Sequence, residues 1–207
     1  MIQDNPQFDT PGDAATLERV AEQLRARNIE AIIVSNASQA RQAVLERVPP
    51  GAEVHSGKSK TLQEAGLTEL LNDPARFDAL RPRYLKMDRQ TQGREIRKLI
   101  GSPDYMVGSI QAITEDGVLV TASATGSQLG PFANTAGKVI FVVGSQKIVP
   151  NLAAALQRVR EYVLPWEDAQ VRKVVPSGSF VGKILIIERE WVKGRMTVVL
   201  VRQPIGI

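Results

Sequence analysis

The segment His55-Ser56-Gly57-Lys58-Ser59-Lys60-Thr61 places one imidazole, two ammonium groups and three hydroxyls within seven residues. It follows a short apolar run and precedes a helical pattern. A strand-to-helix turn of this kind offers backbone N–H groups and cations to an anion. Gly57, Lys58, Ser59 and Thr61 are therefore candidate ligands for a phosphate or carboxylate. The segment is not a phosphate-binding loop of the GxxxxGK[ST] type. That motif needs a glycine five residues before Gly57, where Ala52 stands, and Gly51 lies one residue too far back. His55, the only histidine, has the reference pKa of a general base near neutrality, about 6.5. Strand alternation puts Glu53 on its face, and the plain alternative is a structural histidine at a strand end.

Three further segments carry reactive types. Glu115-Asp116-Gly117 is a tight-turn signal, because Asp-Gly supplies positive φ readily. A glutamate at such a tip can act as nucleophile or base, so Glu115 is the candidate catalytic residue; an exposed carboxylate beside an ordinary turn is the alternative. Ser123-Ala124-Thr125-Gly126-Ser127, continuing to Pro131 and Asn134, is rich in small and hydroxylated residues. These let a ligand approach the backbone, which makes Thr125, Gly126 and Ser127 candidate binding residues. Gly144-Ser145 and Lys147 close an apolar run, at the end of the strand where open α/β sheets hold ligands. Trp166 and Trp191 read as packing or interface residues, since no series of aromatics accompanies the basic segments.

The elements that must position these groups follow from periodicity. Asp13 caps a helix to about Asn28, with Leu17, Val20, Ala21 and Leu24 on one stripe. Strands are expected at Glu30–Ser35, Ala52–His55, Tyr105–Thr114, Val118–Thr121, Val139–Val143, Lys183–Glu188 and Thr197–Arg202. Helices are expected at Ser38–Val48, Thr61–Leu71, Arg89–Ile100 and Pro150–Tyr162. Residues 105–121 and the last two strands read as hairpins, and residues 1–12 as a flexible start. Strands alternating with helices and carrying continuous apolar cores imply one α/β domain over residues 1–207: a three-layer α/β/α sandwich with a mixed, mainly parallel sheet.

Composition limits the chemistry. The 207 residues include no cysteine, so disulfides, thiolate nucleophiles and a cysteine-ligated iron–sulfur cluster are excluded from this chain. One histidine leaves no multi-histidine metal site, and no metal ligand set is assigned. The net charge of +4 divides unevenly: residues 170–207 carry seven basic and two acidic side chains, and the remainder is nearly neutral. That pattern favours local docking over a polyanion field, so nucleic acid is not the expected partner. With no signal-peptide pattern and apolar runs of only four or five residues, the expected location is the cytoplasm, without a membrane span.

Taken in order, these segments resemble the lactate-utilization (LUD) domain family, in the plan of lactate utilization protein C. The resemblance lies in Gly57-x-Ser59-x-Thr61-Leu62-x-Glu64-x-Gly66-Leu67, in Ile110–Gly117 with the following strand and Gly126, and in Pro131 through Gly144 with Lys147-Ile148-Val149. It adds Glu64 to the candidate anion site. It implies a fold similar to the glucosamine-phosphate isomerase, ribose-phosphate isomerase and CoA-transferase group. It also implies a metabolite-binding, non-redox role in oxidation of lactate to pyruvate, beside iron–sulfur and cysteine-rich partner proteins. An assembly or regulatory subunit without turnover, and an acyl- or CoA-transferase using Glu115, are the alternatives; self-association is compatible with each. Residues 177–196 depart from the family pattern: its threonine and aspartate are absent, and Lys193-Gly194-Arg195 stands in place of a His-Gly-Pro-like end.

Overall fold

The computed structural model describes residues 5–207. Of the expected flexible start, residues 1–4 lie outside the described residues. The rest is not free: Pro6–Asp9 form a helical turn (α1) that buries Phe8.

Helix α2 (Ala14–Ala26) begins where the sequence places its cap, with Asp13 accepting a hydrogen bond from the Thr16 N–H at 2.7 Å. Its buried stripe is Leu17, Val20, Ala21 and Leu24. The other helices are α3 (Ala37–Leu45), α4 (Lys60–Glu64), α5 (Leu67–Leu71), α6 (Leu80–Tyr84), α7 (Gly93–Gly101), α8 (Leu152–Gln157) and α9 (Leu164–Val171). A wider π-helical stretch, Arg158–Val163, joins α8 to α9, so this rod runs well past the expected end at Tyr162. Pro165 is tolerated because it falls in the first turn of α9. The expected helix Thr61–Leu71 is instead two short helices. Gly66 between them has φ +64°, a left-handed conformation that ends α4.

The strands are β1 (Glu30–Val34), β2 (Glu53–Ser56), β3 (Asp78–Ala79), β4 (Tyr105–Gly108), β5 (Ala112–Thr114), β6 (Leu119–Ser123), β7 (Lys138–Gly144), β8 (Ile148–Val149), β9 (Lys183–Ile187) and β10 (Met196–Val201). Six form an entirely parallel central sheet in the order β1-β10-β7-β4-β2-β3. Side-chain alternation on its central strands builds two cores. Val139, Phe141, Val143, Val198 and Leu200 pack with α2 on one face. Ile140, Val142, Val199 and Val201 pack with residues of α3, α4 and α5 on the other. Helices on both faces give the α/β architecture, with a mainly parallel sheet at its centre.

The antiparallel pairs are not in that sheet. They belong to a second sheet, β8-β5-β6-β9, so two expectations are corrected. The stretch Tyr105–Thr114 is not one strand: it breaks at residues 109–111, leaving β4 in the central sheet and taking β5 into the other. The closing hairpin does not form either. Every residue of β10 is buried, and β10 lies between β1 and β7 as a central strand. The half-exposed β9 pairs with β6. The turn at 115–117 is as expected, with Gly117 at φ +88° and β5 paired antiparallel to β6. α8 and the π-helical stretch cover the far face of this sheet through Ala155, Val159 and Tyr162.

Candidate functional site

At the carboxyl ends of β2, β4 and β7 the chain leaves the central sheet through Lys58–Thr61, Ser109–Gln111 and the turn that carries Lys147. These segments, with Thr121–Thr125 and part of the helical rod, enclose a cleft of about 540 Å³. A strap at Gly178–Val181 forms a further wall. The polar side holds Lys58, Lys60, Arg89 and Lys147 against one acidic side chain, Glu167. The apolar side includes Leu129, Phe132, Val159, Val163, Trp166 and Phe180. This combination of cations, hydroxyls and an apolar wall suits a small anion with a hydrocarbon or aromatic body.

Lys58, Ser59, Thr61, Thr125 and Ser127 all line this cleft. Gly57 and Gly126 support it. A Cβ on Gly57 would come within 2.7 Å of the Gln128 amide oxygen, so with a glycine at 57 the Gln128 side chain of the 123–138 loop can lie against the first loop. Gly126 takes φ +85° between the two hydroxyl residues, and its N–H donates to Ser123 Oγ at 2.9 Å. Ser59 caps α4, a helix of only five residues, so anion affinity here falls to the side chains rather than to a helix dipole. Glu64 is set back, paired with Lys60 at 3.3 Å and accepting from the Gly206 N–H. Lys60 also lies 5.5 Å from the Trp166 ring centroid.

Two candidates are not brought to this place. Glu115 is half exposed at the β5–β6 turn, ion-paired with Arg19 at 3.1 Å, and is not among the cleft residues. His55 is 2% exposed and stands edge-on to the Tyr84 ring. Burial, with Arg81 nearby, lowers its pKa to about 4, so it is a neutral core residue away from the cleft.

Lys147 is the residue that motif reasoning did not select, although its place after the β7 run marked it. It is buried to 2% exposure, and its Nζ lies 2.9 Å from Thr61 Oγ1, 3.0 Å from Ser109 Oγ and 3.1 Å from the Ile110 carbonyl. All three partners are uncharged. Burial, and then the Arg158 charge, hold its pKa well below the ordinary lysine range; Glu64 pulls the other way and Lys60 adds to the depression. Ser109 and Gln111 were missed because they fall where β4 breaks from β5. The Gln111 amide pairs with Ala122, its oxygen accepting from that N–H at 2.9 Å, which fixes the adjoining wall. Among the described residues no cluster of three His, Cys, Asp or Glu side chains converges to hold a metal ion.

Comparison with solved structures gives a DUF162 family protein from Deinococcus radiodurans as a neighbour, with a TM-score of 0.55 and 14% identity. The likeness covers 91% of this chain and 97% of that one, and shows a common fold. No curated protein sequence matches the chain significantly. The model of the LUD domain matches residues 17–201, from the first turns of α2 to the end of β10, and the chain belongs to the LUD domain family.

Proposed function

We propose that this LUD-domain protein binds a small carboxylate or phosphate metabolite in the cleft at the carboxyl edge of its central sheet. We place it as the non-redox component of a lactate-utilization system that oxidises lactate to pyruvate. One observation carries the reading: a buried lysine, Lys147, faces the cleft with only neutral partners, beside Lys58, Lys60 and Arg89. A ligand anion would meet Lys58, Lys60 and Arg89 beside the Lys147 amine, and the apolar wall would hold its carbon body. With no cysteine in the chain, electrons from lactate would pass to a partner protein or a bound cofactor. A transferase reading through Glu115 draws no support from this arrangement, since that carboxylate is paired with Arg19 and is not among the residues lining the cleft.

Thermal melting with L-lactate, pyruvate, acetyl-CoA and sugar phosphates tests the reading. A ligand at about 100 times its dissociation constant adds about 2.7 kcal/mol, which in a chain of this size raises the midpoint by roughly 5 to 10 °C. Unchanged melting with all four classes would overturn a preformed anion site.

A further inference from the structure

The molecule contains its own control for what a buried cation needs. Arg195 is 6% exposed, and its guanidinium meets the Glu190 carboxylate at 2.6 Å. Lys147 is buried more deeply, yet among the described residues no carboxylate pairs with it. Glu64 is the acid that faces it, and its two oxygens serve Lys60 and the Gly206 N–H; Arg158 and Lys60 are the other charges that act on it. An ammonium group taken out of water without a countercharge is costly, so burial shifts a lysine so placed toward the neutral amine. The three neighbours can serve either protonation state. The Ile110 carbonyl can only accept, so it takes one N–H. The Thr61 and Ser109 hydroxyls accept from Nζ, and because a hydroxyl can also donate, one of them can turn its O–H to the lone pair when the amine loses its third proton. An amine held by two hydroxyls in a cleft that also carries cations is arranged to attack an electrophile bearing an anionic group.

We infer that Lys147 forms an imine with the carbonyl carbon of an anionic aldehyde or ketone, a 2-oxo acid or a phosphorylated carbonyl compound, bound in this cleft. The inference rests on the anion-binding reading above and names its substrate class. The nitrogen lone pair adds to the carbonyl carbon while the carbonyl π pair moves to oxygen, which takes a proton and gives a carbinolamine. Loss of that oxygen as water, with both former N–H hydrogens accounted for, leaves the C=N bond. One water is released, and no oxidant or reductant takes part. Thr61 and Ser109 are positioned to relay the protons, and the amine is nearly closed off from bulk solvent.

The test traps the imine in the unmodified protein. The chain is incubated with pyruvate or glyoxylate in one arm, and with glyceraldehyde 3-phosphate in another, each with cyanoborohydride, and its peptides are then weighed. One saturable adduct on Lys147, exceeding any surface lysine by roughly tenfold or more, is expected in at least one arm, and the arm identifies the anionic group. Thr61→Val, which keeps the side-chain volume, should slow trapping by roughly tenfold or more through loss of proton relay, with the folded state intact by circular dichroism. Adducts spread over exposed lysines with Lys147 unmodified would overturn the inference, as would equal trapping in Thr61→Val. Melting with inorganic phosphate and L-lactate, which have no carbonyl to react, separates the two readings. Protection without a Lys147 adduct removes the imine and keeps the anion site; neither protection nor adduct removes both.

Discussion

Arg195 links the C-terminal block to the cleft. Besides Glu190, its guanidinium donates to the Ala136 carbonyl at 3.0 Å and to the Pro131 and Phe132 carbonyls at 3.0 and 3.3 Å, fixing the turn that carries Phe132 into the apolar wall. Arg195→Met would leave the Glu190 carboxylate buried beside three carbonyls that have lost their donor. Removing one partner of a buried pair costs about 3–5 kcal/mol, and urea unfolding should show a loss of that size. The pair Arg195→Met with Glu190→Leu should recover much of it; a single-variant loss below about 1 kcal/mol would refute the clamp. The sequence marks Lys193-Gly194-Arg195 only as a departure from the family pattern. Nothing local reveals its role, because the carbonyls it holds lie about sixty residues earlier in the chain. Lys147 differs: its position after an apolar strand was readable, whereas its lack of a countercharge depends on three segments meeting.

At the level of elements, the cleft stands where loops from different strands approach more closely than side chains would permit. Gly182, leading into β9, is the tightest such contact with backbone: a Cβ there would come within 2.2 Å of the Ala124 carbonyl oxygen. Gly182→Ala must push the 123–128 loop away from β9. The expected cost is about 1–3 kcal/mol, as for overpacking elsewhere, together with a loss of ligand protection larger than that seen at a glycine with open space around its Cβ position, such as Gly101→Ala. Paired melting curves with and without ligand measure both effects, and full protection in Gly182→Ala would show that this wall does not shape the site. The elements themselves are unevenly readable in sequence. α2 and β7 stand out because a capped 3.6-residue stripe and an unbroken β-branched run each have one structural solution. The helix over 61–71 divides because Gly66 adopts positive φ, which a glycine permits but does not announce. β9 and β10 look like a hairpin because neighbouring strands usually pair. What separates them is burial: β10 is apolar on both faces and goes to the centre of a parallel sheet, while β9, with a solvated face, goes to an edge.

Among the basic side chains buried in the molecule, three have their pKa lowered by burial: His55, Lys147 and Arg158. Each binds its proton more weakly in the folded chain than in the unfolded one, so each makes the protein more stable as pH rises through its own window. The net charge of +4 at pH 7 works in the same direction, since self-repulsion falls as the pH approaches the isoelectric point near 9.5. For His55 the window is explicit. Above about pH 6.5 the imidazole is neutral in both states and has no effect; below it the unfolded chain takes up a proton that the folded chain refuses until about pH 4. Between pH 7 and pH 5 this alone removes about 2 kcal/mol of stability. His55→Leu should abolish that slope at little cost in packing, because His55 Nδ1 has no hydrogen-bond partner to lose and the ring lies against Tyr84. Urea midpoints for both proteins at pH 5, 6 and 7 decide it. The wild type should weaken steadily toward pH 5 while the variant stays nearly level, and parallel slopes would mean that the acid sensitivity arises elsewhere than at the end of β2.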